Sequence, residues 1–168
     1  MISGTEQVKA ALISALEGQG LKALPADRAD WAKSYDCPVA AVGLRTGESH
    51  VDAMASYLGQ RTDPQTQLSQ EVYGLKSQLS LSLDLYAPPE KGAGGCDEAL
   101  EKLHEALLKG LPSGLKVSGL RWEEAQWDHE AEMFLRRGSL DCEAYFLASP
   151  AEDGDVLTDF ILKGVVTK

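Results

Sequence analysis

Two short stretches and one isolated histidine hold the residue types that could do chemistry. Asp128-His129-Glu130 sets two carboxylates beside an imidazole, which are ligand types that bind metal ions. Adjacent residues of an extended chain point to opposite faces, however, whereas useful ligands alternate or follow helical spacing. We therefore predict no metal site there. His104 falls in register with the leucines of a predicted helix, and the sequence offers it no activating partner, so we expect an imidazole at the core edge or an interface.

The glycine-rich run from Gly92 to Gly95 precedes the same predicted helix, and helix N-termini can bind phosphate. The run departs from both nucleotide-binding patterns, because Asp97 replaces the third glycine of G-x-G-x-x-G and no Lys-Ser/Thr pair follows. Asp97 and Glu98 would also place carboxylates beside a bound phosphate. We interpret the run as a flexible connection. Since no Ser/His/Asp or Cys/His signature occurs either, we predict no enzyme activity, no catalytic residues and no cofactor.

The cysteines and the hydropathy of the chain predict its compartment. Cys37, Cys96 and Cys142 are odd in number and widely spaced, which fits a reduced intracellular chain and excludes a zinc knuckle. The N-terminus lacks the basic and long apolar regions of a signal peptide. No apolar run approaches the roughly 20 residues that a membrane span requires. We expect a soluble cytoplasmic protein with no membrane partner.

The charge of the 168-residue chain is strongly acidic and unevenly distributed. There are 26 acidic and 16 basic residues, a formal net charge of -10, and residues 84–168 hold 17 of the acids. Sequence-independent binding of nucleic acid needs a basic face, so this composition argues against it. The stretch from Glu123 to Glu132 has five acids and no Lys or Arg. It is either a solvated loop between two strands or an acidic surface exposed in an assembly.

The elements that would position these residues follow from hydrophobic periodicity. A strand with leucine at every second position presents those leucines on one face, and a helix from Asp97 to Lys109 follows it, with Asp97 as the cap. The helix face is predicted to carry Leu100, Leu103, Leu107 and Leu108. The predicted core combines these two elements with a buried strand at residues 38–45: Val39, Val42, Leu79, Leu81, Leu83, Leu85, Leu103 and Leu107.

Further elements complete an α+β prediction. We expect a first helix over residues 5–18 behind a possible capping box of Ser3 and Glu6. Residues 60–70 are polar and predict an extended or mobile loop. Later strands are expected at residues 115–124, with a slip at Gly119, at 133–147, in one or two parts bent at Gly138, and at 160–166. The predicted fold is a single domain, residues 1–168, with a mostly antiparallel sheet and two main helices packed on one face.

From end to end, the order and spacing of these features resemble the tail-terminator (tail-completion) proteins of long-tailed bacteriophages and of prophages in Gram-positive bacteria. The features that carry the resemblance are the opening helix, the strand from Pro38 to Leu44, Tyr57-Leu58-Gly59, the polar loop, Glu71-Val72-Tyr73-Gly74, Leu83-Asp84-Leu85-Tyr86-Ala87, the glycine-rich break, the second helix and Trp127-Asp128.

The resemblance implies a structural virion protein without catalytic residues. Such a subunit forms a homo-oligomeric ring, typically a hexamer, at the head-proximal end of the tail tube, where it stops tube polymerisation and meets the head connector. Its partners would be itself, tail-tube protein and connector protein, first in the host cytoplasm and then in the virion. The candidate interface and channel residues are Gln67, Glu71, Tyr73, Glu123, Glu124, Glu130 and Glu132. The alternatives are another neck, head–tail joining or tail-tube protein, or a small-ligand or peptide-binding module with its pocket between the second helix and the leucine strand.

Overall fold

The leucine-rich segment forms the centre of the sheet. A computed structural model describes residues 4–50, 57–62, 65, 67–111 and 114–147. The strand that holds the alternating leucines runs from Ser69 to Ala87, 19 residues in all. Leu79, Leu81, Leu83 and Leu85 are each at most 5% exposed, so the predicted period of two and the predicted burial are both confirmed.

The described residues form one eight-stranded sheet with helices, and the α+β prediction is confirmed. All strand pairs are antiparallel except β1 with β2, which is parallel. Sequence reasoning missed β1 and the 3-10 helix, both of which lie between the predicted first helix and the predicted strand at residues 38–45. In chain order the elements are α1 (Thr5–Gly18), β1 (Lys22–Pro25), a 3-10 helix (Ala26–Ser34), β2 (Val39–His50), β3 (Tyr57–Thr62), β4 (Ser69–Ala87), α2 (Gly92–Lys109), β5 (Leu115–Trp122), β6 (Gln126–Asp128), β7 (Met133–Arg136) and β8 (Gly138–Leu147).

Strand β4 organises the sheet because four other strands pair with it. Its residues 76–86 pair with β2, 74–82 with β8, 85–87 with β7 and 69–73 with β3. Strand β1 extends the sheet beyond β2, β5 lies on β8, and β6 lies on β7. The predicted slip at Gly119 appears as a register shift in β5, and the predicted bend at Gly138 separates β7 from β8.

Both helices pack on one face of this sheet, as predicted. Val8, Leu12 and Leu16 of α1 meet Leu103 of α2 over the leucines of β4. Leu107 is partly buried against the same cluster. The predicted place of Leu108 on this face is wrong, because its side chain is 86% exposed. It lies five residues beyond Leu103, a rotation of about 140° around the helix.

A second, smaller cluster lies on the opposite face and corrects one core prediction. Val39 is fully buried, but it packs with Leu24, Ala32 and Met133 instead of with the β4 leucines. The reason is strand alternation: Val39 and Val42 are three residues apart, so their side chains point to opposite faces of β2. Only Val42 of that pair joins the main cluster.

Helix α2 begins at Gly92, five residues before its predicted start, so the interpretation of the glycine run as a flexible connection is wrong. Lys91, and not Asp97, is the residue at its N-cap. A Cβ atom added to Gly95 would lie 2.7 Å from the Cβ of Ala87. The glycine therefore allows the first turn of the helix to approach the end of β4 closely.

The polar segment at residues 60–70 is partly strand, which corrects the loop prediction. Residues 57–62 form β3 and pair with 69–73 of β4 in an antiparallel ribbon. Main-chain hydrogen bonding thus orders residues whose side chains bury little apolar area. Asp63, Pro64 and Thr66 of the predicted loop, Ser3 of the predicted capping box and the predicted strand at 160–166 lie outside the described residues. Helix α1 has the predicted bounds, with Gly4 at its N-cap.

Candidate functional site

The seven candidate interface and channel residues fall into two groups at opposite ends of β4. Gln67, Glu71 and Tyr73 belong to the ribbon formed by β3 and the start of β4, whereas the four glutamates lie near β6 and β7. Strand β7 pairs with β4 at residues 85–87. Fifteen residues of strand separate position 71 from position 86, about 50 Å of strand length. The two groups are therefore separate surfaces.

The first surface, which we call the ribbon, comprises β3 and residues 67–75. The hydroxyl of Tyr73 donates a 2.5 Å hydrogen bond to Glu71 Oε2, and this bond raises the pKa of Tyr73. The rings of Tyr57 and Tyr73 meet edge to face, 5.7 Å apart. Gln67 is exposed and has a φ of 58°, a left-handed backbone conformation that residues other than glycine adopt mainly at turns. The ribbon thus presents aromatic and polar groups to solvent.

The second surface, which we call the acidic hairpin, spans Glu123 to Arg136. The interpretation of residues 123–132 as a loop is only partly right, because β6 lies inside them and pairs with β7. Asp128 fixes the turn: its Oδ1 accepts hydrogen bonds from the backbone N–H groups of Glu130, at 2.9 Å, and Ala131, at 3.3 Å. Such local carboxylate bonds are typical of Asp in turns. Sequence reasoning missed this structural role of Asp128.

Acidic side chains from the hairpin converge around an open cavity of about 430 Å3. Glu123, Glu124 and Glu130 line it, and Arg137 supplies one cation. Glu132 is exposed at the end of the turn, with a φ of 53°. Three of the four predicted glutamates are thus brought together. Within the described part of the chain, no three His, Cys, Asp or Glu side chains are arranged to hold a metal ion.

His104, Cys96 and Cys142 lie in surroundings that are typical of residues with a structural role. His104 is half-buried and contacts Trp122 edge to face, with ring centroids 5.3 Å apart, where α2 meets β5. Burial raises the pKa of Cys142 to about 11 and also raises that of Cys96. Both thiols are therefore protonated at neutral pH and weak nucleophiles. Cys37 is exposed.

A further group of charged residues, which sequence reasoning missed, lies on the sheet face opposite the helices. Asp84 is half-buried between the leucines of β4, and its Oδ1 has no hydrogen-bond partner among the described residues. Burial raises the pKa of this carboxyl, and nearby Arg45 and Arg137 oppose that shift more weakly. The arginines come from β2 and from the β7–β8 connection. Only the folded sheet brings them together, since they lie 92 positions apart in the sequence.

The pocket expected between α2 and the leucine strand is filled. Ala99, Leu103 and Ala106 of α2 are buried against the leucines of β4 within one cluster.

No helix in the described ranges is long and apolar enough to cross a membrane. No protein-family model matches this sequence, and no curated protein matches it significantly. The case for a function therefore rests on the fold, on these surfaces and on the resemblance of the sequence.

Proposed function

We propose that this protein is a structural subunit of a phage or prophage tail, which assembles into a ring at the head-proximal end of the tail tube. Six copies complete the ring, which stops tube polymerisation and joins the tail to the head. The proposal takes the ring and its place from the sequence resemblance. Two features of the fold support the proposal: apolar side chains are exposed on the ribbon, and the sheet has an unpaired strand edge on each of its two sides.

Several of the exposed apolar side chains are concentrated on the ribbon. Among the described residues, eight large hydrophobic side chains are exposed, and three of them belong to this region: Tyr57 at 36%, Leu68 at 66% and Leu75 at 38%. Exposed apolar groups that cluster in this way mark interaction surfaces. A neighbouring subunit that covered the ribbon would remove this area from water and contribute to assembly.

Unpaired strand edges are the second feature that supports the proposal. Within the described residues, β5 pairs only with β8, and β1 pairs only with β2, so each has one side without a strand partner. An unpaired edge presents N–H and C=O groups that another chain can use. Two different edges on one subunit suit head-to-tail contacts, which close into a ring when the rotation between copies allows it.

The acidic hairpin supplies the proposed channel surface. Duplex DNA carries a dense negative charge, so a ring through which it passes benefits from repelling phosphates. Glu123, Glu124, Glu130 and Glu132 are all exposed. We assign them to the inner surface of the ring, where their repulsion keeps DNA from adhering during passage.

Neutralising these four glutamates tests the channel assignment. Changing Glu123, Glu124, Glu130 and Glu132 to Gln should leave the fold intact and increase retention of DNA by the assembled ring. A matched control changes four exposed glutamates elsewhere, Glu48, Glu90, Glu101 and Glu105, so that the same charge is removed from other surfaces. DNA affinity is measured at several salt concentrations. Equal affinities for the two variants would remove the channel assignment and leave the ring proposal standing.

A further inference from the structure

The sheet face opposite the helices carries a shallow depression that adjoins the acidic cavity and shares Glu123 and Arg137 with it, and neither the ring nor the channel explains its arginines. Three of the six arginines in the chain, Arg45, Arg121 and Arg137, line this open cavity of about 510 Å3 together with Ser80 and Ser139. We call it the arginine trough. Half of the arginines of a chain with a net charge of -10 therefore converge on one small surface.

The register of four strands builds the trough. Arg45 is the extra residue at the β2 bulge, where the pairing shifts between Leu44 and Thr46. Ser80 of β4 and Ser139 of β8 form its floor, with their hydroxyl oxygens 3.2 Å apart. Arg121 of β5 pairs with Ser139. Because β2 and β5 are three strand spacings apart, the two arginine backbones lie about 14 Å from one another across the floor.

The third arginine is held at one end of the trough by a bend in the chain. The carbonyl of Arg137 accepts a 2.9 Å hydrogen bond from the N–H of Glu123, which ties the β7–β8 connection to the end of β5. Gly138 follows it, and an added Cβ there would lie 2.6 Å from the carbonyl oxygen of Leu83. The bend therefore rests directly on β4, and the position of Arg137 is fixed by the backbone.

Two of the three guanidinium groups keep hydrogen-bond donors available. Arg121 makes a salt bridge to Asp141, at 2.5 Å. Arg45 and Arg137 make no salt bridge with any described residue, and Asp84, the acid near both, is half-buried. A guanidinium carries five N–H donors in a planar fork that matches the two oxygens of a carboxylate. The trough thus has unused donors of defined geometry above a floor of small side chains.

The surrounding acids select the charge of the ligand. Glu123 lines the trough, Asp141 is already paired with Arg121, and Asp84 lies close to the other two arginines. Phosphate concentrates up to two charges on one head group and would meet more repulsion from these acids than a carboxylate group, which carries one.

We propose that the arginine trough binds carboxylates, with Arg45 and Arg137 as the direct donors and Ser80 and Ser139 as hydroxyl partners. The carboxylate belongs either to an acidic side chain of a protein segment or to a free dicarboxylate. The proposal is independent of ring formation, because every residue in it belongs to one subunit.

Titration of the full chain with three probes tests this site. The probes are an N-acetylated and C-amidated triglutamate peptide, glutarate and inorganic phosphate, with binding followed by calorimetry or by amide chemical shifts. We expect a carboxylate probe to bind, and an Arg45→Gln/Arg137→Gln variant to bind it about tenfold more weakly, because charge-assisted hydrogen bonds are lost. Arg28→Gln, which removes one cation instead of two, is the control for arginine loss elsewhere, since Arg28 lies over Trp31, outside the trough.

Two comparisons sharpen the result. Tighter binding of the peptide than of glutarate identifies a protein segment as the source of the carboxylate, and the reverse identifies a small molecule. An Arg45→Lys/Arg137→Lys variant keeps both charges and should still lose affinity, because lysine has no planar fork. Tighter binding of phosphate than of both carboxylates would overturn the proposal. So would an equal loss in Arg28→Gln, or the absence of carboxylate binding at about 10 mM ligand.

Discussion

The two halves of β4 belong to one strand but lie in different environments. From Leu79 to Leu85 its leucines are covered by α1 and α2, whereas from Ser69 to Tyr73 it pairs with β3 in the exposed ribbon. Leu75 continues the same alternation of leucines and is nevertheless 38% exposed. The alternation therefore sets which face a side chain occupies, and the helices decide whether that face is buried.

A part-buried pair of hydroxyls marks the boundary between the two halves. Ser77 is fully buried, and its Oγ lies 2.7 Å from the Oγ of Ser49 on β2. One hydroxyl donates to the other, so neither oxygen lacks a hydrogen-bond partner. On one side of this pair β4 is the centre of the core, and on the other side it is the candidate interaction surface.

Hydrogen exchange should show the largest contrast between the halves. We expect amides of residues 79–85 to exchange only through global unfolding, which costs about 5–15 kcal/mol in typical domains. Amides of residues 57–62 and 69–73 should exchange through local opening at far lower cost, because the ribbon buries little apolar area. Equal protection of both sets in the isolated subunit would contradict the division, and new protection of the ribbon on assembly would support its role as an interface.

Truncating one leucine in each half sharpens the comparison. Leu83→Ala should lower the free energy of unfolding by about 2–5 kcal/mol, because it removes buried methyl groups and leaves a cavity. Leu75→Ala is the matched control in the exposed half and should cost less than about 1 kcal/mol. Chemical denaturation measures both variants. An unchanged stability in Leu83→Ala would show that the strand register described above is wrong.

Adjacent glycines in the first turn of α2 test how closely the helix approaches the end of β4. Gly95→Ala should destabilise by about 1–3 kcal/mol, because its Cβ would overlap that of Ala87. Gly94→Ala has open space around its Cβ and should stabilise by up to about 1 kcal/mol through higher helix propensity. Thermal unfolding would contradict the packing if both variants shifted the Tm in the same direction.

Asp84 gives the smallest expected effect, and it depends on pH. Burial raises its pKa above the ordinary 3.8, so the folded state binds its proton more tightly than the unfolded state does. Ionising Asp84 therefore opposes folding, and its contribution to stability is lost as pH rises through the raised pKa. Asp84→Asn should gain stability relative to the wild type between about pH 4 and pH 7. A variant less stable than the wild type at pH 7 would mean that attraction to Arg45 and Arg137 outweighs burial.

Sequence periodicity was sufficient for the elements whose burial is simple. The leucine face of β4, helix α1 and the breaks at Gly119 and Gly138 all follow from local pattern and turn chemistry. The α+β fold class can also be predicted, because a helix covers a strand whose leucines recur with a period of two. These features are determined by residues that are close together in the sequence, so hydrophobic pattern and turn residues are enough to predict them.

The remaining features depend on contacts between distant residues. The early start of α2 needs the approach of Gly95 to Ala87, and the second cluster needs β1 to pair with β2. The ribbon is held by main-chain pairing between polar segments, which composition alone presents as a loop. The arginine trough joins β2, β5 and the β7–β8 connection, and no local pattern relates those positions.

Self-assembly is tested most directly by the native mass of the full chain across salt and protein concentration. Each subunit has a formal charge of -10, and about 0.1 M salt screens exposed charges beyond about 10 Å. We therefore predict the 18.1 kDa monomer in dilute low-salt buffer, and a species of six copies at higher ionic strength and concentration or with tail-tube protein as template. An 18.1 kDa species alone under all of these conditions, tail-tube protein included, would contradict the ring.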